Sequence, residues 1–210
     1  MREATQELLD SDYKKTDWNE LPTLSTLSLA ALNVLNHEND KGFVMMIEGG
    51  AIDYANHGQN PSKSVLEHTG FSKAIDSVIQ WIEKNSSWDE TLLIITADHE
   101  TGQIWGPQSY NDDNSNDVFD EGDQFNDFNQ VVNNGRGKVP GVQYGSKGHT
   151  NALVPIWAKG PGASRFNELT RGTDEKAAKM WNFSGKFVDN TDIFNVMKAS
   201  LSPIAAGVKN

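Results

Sequence analysis

The sequence predicts an α/β fold: a mostly parallel central sheet flanked by helices. Three observations carry this. Phe43–Ile47, Thr91–Ala97 and Ala152–Ala158 are short, nearly continuous apolar runs, the pattern of strands buried on both faces. Between the first two, from about Ser62 to Lys84, apolar residues recur at helical spacing. Strand, helix, strand with both strands buried reads as a parallel α/β unit.

Taken in order, residues 1–20 are polar and only weakly helical in pattern. Leu21-Pro22-Thr23 breaks that pattern, and Thr23 or Ser25 is placed to cap a helix running to about Leu35. Its expected apolar face is Leu24, Leu27, Ala30, Ala31 and Leu35. Gly42 opens the first strand, which stops at Glu48-Gly49-Gly50. The long helix shows Leu66, Phe71, Ile75, Val78, Ile79 and Ile82 on one face and ends at Asn85-Ser86-Ser87. The second strand closes on Asp98-His99-Glu100. Residues 102–147 are rich in Asn, Asp and Gly, too long for a plain connection. They are expected to form an insertion or surface lobe within a single α/β piece spanning 1–210. The third strand contains Pro155, which points to a strand edge or a broken ladder. Gly160-Pro161-Gly162 closes it, and Thr191 is the expected N-cap of a final helix.

Composition narrows the function. The chain has 210 residues, within the range of one domain. With 37% apolar and 22% charged residues it is ordinary globular protein. The absence of cysteine excludes disulfides, Cys-ligated zinc, iron–sulfur clusters and a thiol nucleophile. A net charge of -11 repels phosphate backbones, so no nucleic-acid partner is expected. A phosphate-bearing small molecule would need local positive charge, which a metal supplies. No apolar run approaches the roughly 20 residues of a membrane span, and no membrane partner is expected. The N-terminus, MREATQELLDSDY, is polar and acidic and does not read as a signal peptide. The expectation is therefore either a protein kept inside the cell or an internal piece whose true start lies upstream.

The chemistry concentrates at strand ends. Glu48 closes the first strand, with Asp53 and His57 four apart just beyond it; Asp98 and His99 close the second; His149 precedes the third. Ligands of parallel α/β sheets bind outside the carboxyl ends of the strands. For His149 to join that edge, its strand must run antiparallel to the other two. Imidazole nitrogen and carboxylate oxygen together suit Zn²⁺, and three protein ligands with an open fourth position mark a catalytic site. Asp53, His57 and His149 make such a set; Asp98 and His99 are too few for a second zinc alone; Glu48 suits Mg²⁺. Against this stand ordinary alternatives: a surface His–Asp pair, a turn residue, or a carboxylate bonded to nearby N–H groups.

The segments Ile47-Glu48-Gly49-Gly50-Ala51-Ile52-Asp53-Tyr54-Ala55-Asn56-His57, Thr96-Ala97-Asp98-His99-Glu100-Thr101-Gly102 and Gly148-His149-Thr150-Asn151 resemble, in order, the metal-binding motifs of the alkaline phosphatase family. Val188–Phe194 resembles that family's C-terminal region. The resemblance implies an alkaline-phosphatase-like fold and hydrolysis of phosphate monoesters. It makes Asp53, His57 and His149 ligands of the first zinc, Asp98 and His99 ligands of the second, and Glu48 a ligand of magnesium. Glu100 and Thr101 would not be ligands. The substrate would be a phosphate monoester, a homodimer falls within what the family allows, and the full-length protein would be periplasmic or secreted.

The family's nucleophilic Ser, in an Asp-Ser-Ala setting, has no match, nor do its phosphate-binding Arg and two further ligands. Asp10-Ser11-Asp12 and Asp76-Ser77 are poor substitutes, and Arg2, Arg136, Arg165 and Arg171 lie outside any motif. The chain thus resembles a C-terminal half whose nucleophile lies upstream, expected to bind zinc but to be weakly active or inactive alone. Two other readings remain at this point. One is another hydrolase of the same superfamily, such as a phosphodiesterase, sulfatase or cofactor-independent phosphoglycerate mutase. The other is a non-catalytic zinc- or phosphate-binding module. Asp112, Asn114 and Asn116 alternate like a calcium loop, but Asp117 and Asp123 depart from it and a solvated acidic loop is expected. His37 is expected to be solvated, His68 to sit at a core edge, and Trp105 either to line a cleft or to pack.

Overall fold

The structure, a computed structural model, describes residues 21–111, 124–125 and 127–201. Residues 1–20, with Arg2 and Asp10-Ser11-Asp12, and residues 112–123, with the calcium-like spacing, lie outside the described residues. The chain divides into two compact units, Met1–Trp81 with Thr101–Thr150 and Ile82–Glu100 with Asn151–Asn210.

In the first unit, helix α1 spans Leu24–Asn36. Thr23 caps it as expected, its hydroxyl accepting the Thr26 N–H at 3.2 Å. The buried face differs from the expected one. Ser28 and Leu32, four apart, face inward, while Leu27 is 52% exposed. Ser28 tolerates burial because its hydroxyl donates to the Leu24 carbonyl at 2.6 Å. The Trp81 indole N–H donates to Asn33 Oδ1 at 2.8 Å, and its ring meets Phe43 edge-on at 6.3 Å.

Phe43–Ile47 is extended, but among the described residues it joins no strand ladder. Its exposure alternates, with Phe43, Met45 and Ile47 half-buried and Val44 and Met46 exposed. The expected strand buried on both faces is therefore not found here. The apolar run specifies an extended backbone, but a ladder also needs a neighbour's N–H and C=O groups.

Helix α2 (Ala51–His57) went unread in the sequence because seven residues give too little periodicity. Helix α3 (Pro61–Asn85) matches the expected long helix. Pro61 stands at its first position, where a missing N–H costs nothing, and Asn60 Oδ1 accepts the Lys63 N–H at 3.0 Å. Leu66, Ala74, Val78, Trp81 and Ile82 are its buried apolar residues. His68 is exposed instead of sitting at a core edge, with Nδ1 2.9 Å from the Ser64 carbonyl of its own helix. The segment after Thr101 is built from two-residue antiparallel pairings, Ile104–Trp105 with Gln143–Tyr144 and Tyr110–Asn111 with Gln124–Phe125. Trp105 stacks edge-on against Phe128 at 4.7 Å.

In the second unit, Leu93–Ile95 pairs antiparallel with Trp157–Lys159, Ile94 opposite Ala158. This is the direction that the position of His149 required. Both strands are shorter than their apolar runs; the second begins only after Pro155, whose ring removes a ladder donor. A side chain at Gly160, where φ is +111°, would collide with the Thr91 carbonyl. Lys159 Nζ sits 3.9 Å over the Trp88 ring.

Two short helices, α4 (Arg165–Glu168) and α5 (Glu175–Trp181), were not read from the sequence. Helix α6 spans Asn190–Leu201. Its first turn is capped by Asp189 and not by the expected Thr191: Asp189 Oδ1 accepts both the Thr191 N–H at 3.0 Å and the Thr191 hydroxyl at 2.6 Å. A carboxylate is the stronger acceptor at a positive helix end. Val196 and Asp192 are each 1% exposed. The buried Asp192 carboxylate is held by a two-pronged Arg171 contact, Nε to Oδ2 at 3.1 Å and Nη2 to Oδ1 at 2.9 Å. It also accepts the Asp189 N–H at 3.0 Å.

Candidate metal centre

Helix α2 places Asp53 and His57 at i and i+4, on one helical face. His149 arrives on the far side of the sequence, after the loop Gly145–Gly148. The three side chains converge: His57 Nε2 lies 3.0 Å from His149 Nε2 and 3.3 Å from Asp53 Oδ2, and His149 Nε2 lies 3.4 Å from Asp53 Oδ1. Each side chain is about a third to a half exposed, so solvent or a ligand reaches the group.

The donor set fits a metal ion in two respects. First, a tetrahedral ion with bonds of about 2.0–2.1 Å holds its donors roughly 3.3 Å apart, and the three observed edges bracket that length. Second, His57 Nδ1 contacts the Lys147 carbonyl, which only accepts, so Nδ1 carries the proton. That leaves Nε2 as the nitrogen a metal would take, and it faces His149 and Asp53. An imidazole whose other nitrogen is held by a backbone carbonyl is the usual arrangement of a metal-ligating histidine. Among the described residues this is a group of His, Asp and Glu donors close enough to share one ion.

The surroundings hold these segments in place. Thr101 Oγ1–H donates to Asp53 Oδ1 at 2.6 Å. The Gly102 N–H donates to the Gly148 carbonyl at 3.1 Å, and the Gly102 carbonyl accepts the N–H groups of Gly145 and Ser146 at 3.0 and 3.1 Å. Tyr144, 3% exposed, lines this turn. Burial pushes its hydroxyl pKa up to about 12, against a small opposing pull from Ser64. The hydroxyl forms no well-aligned hydrogen bond, so it stays protonated and neutral beside the turn.

The other expected residues are divided between the two units. Asp98 and His99 belong to the second unit, where His99 Nε2 is 3.2 Å from Asp98 Oδ2 and the Asp98 carboxylate is largely exposed. Glu48 is exposed in the first unit, its Oε1 folded over Gly50. His37 is exposed, as expected. Ser77 bonds back to the Lys73 carbonyl of its own helix at 2.9 Å, with no base beside it in that contact. Arg171 is committed to Asp192. The residue that sequence reasoning passed over is Thr101: no pattern reveals that its hydroxyl reaches a carboxylate 48 positions away.

A family model described as alkaline phosphatase matches residues 5–202. The chain is 28% identical over 189 residues to the alkaline phosphatase of Escherichia coli (strain K12), covering 87% of this chain and 32% of that protein. It is 37% identical over 93 residues to the repressible alkaline phosphatase of Saccharomyces cerevisiae, covering 42% of this chain and 16% of that protein. Among solved structures, a cold-active alkaline phosphatase from a psychrophilic Shewanella sp. superposes with a TM-score of 0.56 at 24% identity, covering 86% of this chain and 50% of that one. That likeness speaks for the fold. The chain spans about a third of the length of the E. coli relative. With the family model matched over nearly all of its residues, the chain belongs to the alkaline phosphatase family.

Proposed function

We propose that this chain supplies the metal-ligand portion of a zinc- and magnesium-dependent phosphate monoester hydrolase. The observation that carries the reading is the convergence of Asp53, His57 and His149 at 3.0–3.4 Å. In this reading they hold the first zinc, Asp98 and His99 contribute to the second, and Glu48 contributes to magnesium. Zinc, when bound, supplies Lewis-acid polarisation of a phosphoryl oxygen and neutralises its charge. The chain's own residues prepare for that chemistry. The Lys147 carbonyl fixes the His57 tautomer, and Asp53 brings the negative charge that favours a dication over a proton.

The same reading places the nucleophilic serine in residues that precede this stretch in the full-length protein. Without such a nucleophile the phosphoserine route is closed to this chain alone, and it binds zinc while turning over phosphate esters poorly or not at all. Export of the full-length protein to the periplasm or beyond rests on the family resemblance.

The test is zinc titration by chelator competition on the purified 210-residue chain, paired with p-nitrophenyl phosphate turnover at alkaline pH. Zinc binding that disappears in Asp53→Ala, His57→Ala and His149→Ala, with little turnover, is the expected result. Binding that persists in all three variants would sink the site assignment. Rapid turnover lost on Ser77→Ala would sink the placement of the nucleophile.

A further inference from the structure

We propose that Thr101 is a positioning residue for the Asp53–His57–His149 metal site, fixing the rotation of the Asp53 carboxylate through its hydroxyl; this rests on the metal reading above. Thr101 is 6% exposed, so its hydroxyl needs a partner inside the protein. It has one in Asp53 Oδ1 at 2.6 Å, the short distance of a charge-assisted O–H···O⁻ bond. Asp53 Oδ1 is also the oxygen 3.4 Å from His149 Nε2, while Oδ2 faces His57. A carboxylate free to turn about its last bond would swap or withdraw these oxygens. With Thr101 anchoring Oδ1, each oxygen keeps its own histidine.

The neighbouring residue completes the device. Gly102 binds the loop that delivers His149, through its N–H to Gly148 and its carbonyl to Gly145 and Ser146. Thr101 and Gly102 therefore join the two segments that carry the ligands: one grips the carboxylate from helix α2, the other grips the backbone leading to His149. The site is assembled from ligands 96 positions apart, Asp53 to His149, and this two-residue bracket sets their separation. Partners that orient a metal's ligands in this way change metal affinity by about 10–100-fold when removed.

The test separates hydroxyl from shape. Thr101→Val keeps the side-chain outline and removes the donor; Thr101→Ser keeps the donor and removes the methyl group. Zinc dissociation constants are measured by chelator competition on the full chain, with circular dichroism confirming that each variant is folded. The expected result is about 10–100-fold weaker zinc binding in Thr101→Val, with Thr101→Ser close to the parent. Thr101→Ala, a smaller variant without the hydroxyl, must show the same loss, which covers the case of valine not fitting. Parent-like zinc affinity in the folded variants lacking the hydroxyl overturns the proposal. So does a loss in Thr101→Ser equal to that in Thr101→Val. A parent chain that binds no zinc takes the proposed function down together with this inference, whereas a parent that binds and a Thr101→Val that is unaffected removes this inference alone.

Discussion

Replacing Gly102 and Gly70 by alanine applies one chemical change to two environments, with opposite expected signs. At Gly102, φ is +95°, and an added Cβ would stand 2.8 Å from Tyr144 Cδ1 and 3.1 Å from its Cε1. The ring is 3% exposed, so moving it means displacing the neighbours that bury it. A non-glycine residue held in such a conformation costs about 1–3 kcal/mol, and overpacking a filled site adds a similar amount. We therefore expect Gly102→Ala to destabilise by roughly 3 kcal/mol, which for a chain of this size lowers the melting temperature by roughly 6–12 °C. Gly70 lies inside α3, exposed, with nothing within 4 Å of an added Cβ. There alanine is the better helix former by about 1 kcal/mol, raising the melting temperature by roughly 2–4 °C. Thermal melts followed by circular dichroism read both. A Gly102→Ala melt within about 2 °C of the parent, well short of the expected shift, would refute the reasoning, because the ring or the turn would then have to yield freely. Gly70→Ala melting below the parent would refute the helix half of it.

Other outcomes follow from the same structure. Asp192 is held below the ordinary carboxylate value of 3.8, first by the Arg171 hydrogen bonds, and Asp189 is lowered first by the Thr191 hydroxyl. Both carboxylates have native values below their unfolded ones. Their stabilisation is complete above the unfolded value and is lost as pH falls through the native one. Arg171, raised above an already high value, is protonated throughout this window and adds no slope. Melts between about pH 6 and pH 3 should show stability falling with acid, and Arg171→Leu should lower the melt at neutral pH while flattening that acid limb. An unchanged acid limb in Arg171→Leu would contradict the assignment. Trp81→Phe keeps the ring contact with Phe43 and loses the 2.8 Å indole bond to Asn33; urea unfolding should show a loss of about 0.5–1.5 kcal/mol.

Much of this arrangement is local and hence readable. The Thr23 cap, the long helix with Leu66, Val78 and Ile82 buried, and the stop at Asn85 follow from periodicity and capping chemistry within a few residues. Phe71, Ile75 and Ile79, by contrast, are only half-buried, and Ala74 and Trp81 complete the face instead. The antiparallel return of Trp157–Lys159 was legible for another reason: it is what His149 requires if it is to join the sheet edge that the sequence predicts for Glu48 and Asp98. Illegible features depend on partners distant in sequence. Leu27 looks like core and Ser28 like surface until Trp81 and Asn33 decide which way α1 turns. Phe43–Ile47 reads as a sheet centre because its composition reports apolarity and not pairing. Thr191 and Asp189 are both good caps, and only the path of the chain chooses between them. Thr101 offers no pattern at all, since one hydroxyl finding one carboxylate is an event of tertiary structure.

Phe43–Ile47 also governs how the chain behaves in bulk. Five consecutive uncharged apolar residues join no strand ladder among the described residues, Met46 is 87% exposed, and Lys41 and Glu48 are the nearest charged flanks. This is the chemistry of a cross-β template. What keeps copies apart is colloidal repulsion from a net charge of -11. That repulsion acts over about 10 Å in 0.1 M salt but only about 3 Å in 1 M, while apolar strand stacking survives salt. Concentrated salt therefore removes the barrier and leaves the attraction, so the chain stays dispersed in dilute buffer and grows turbid as ionic strength rises.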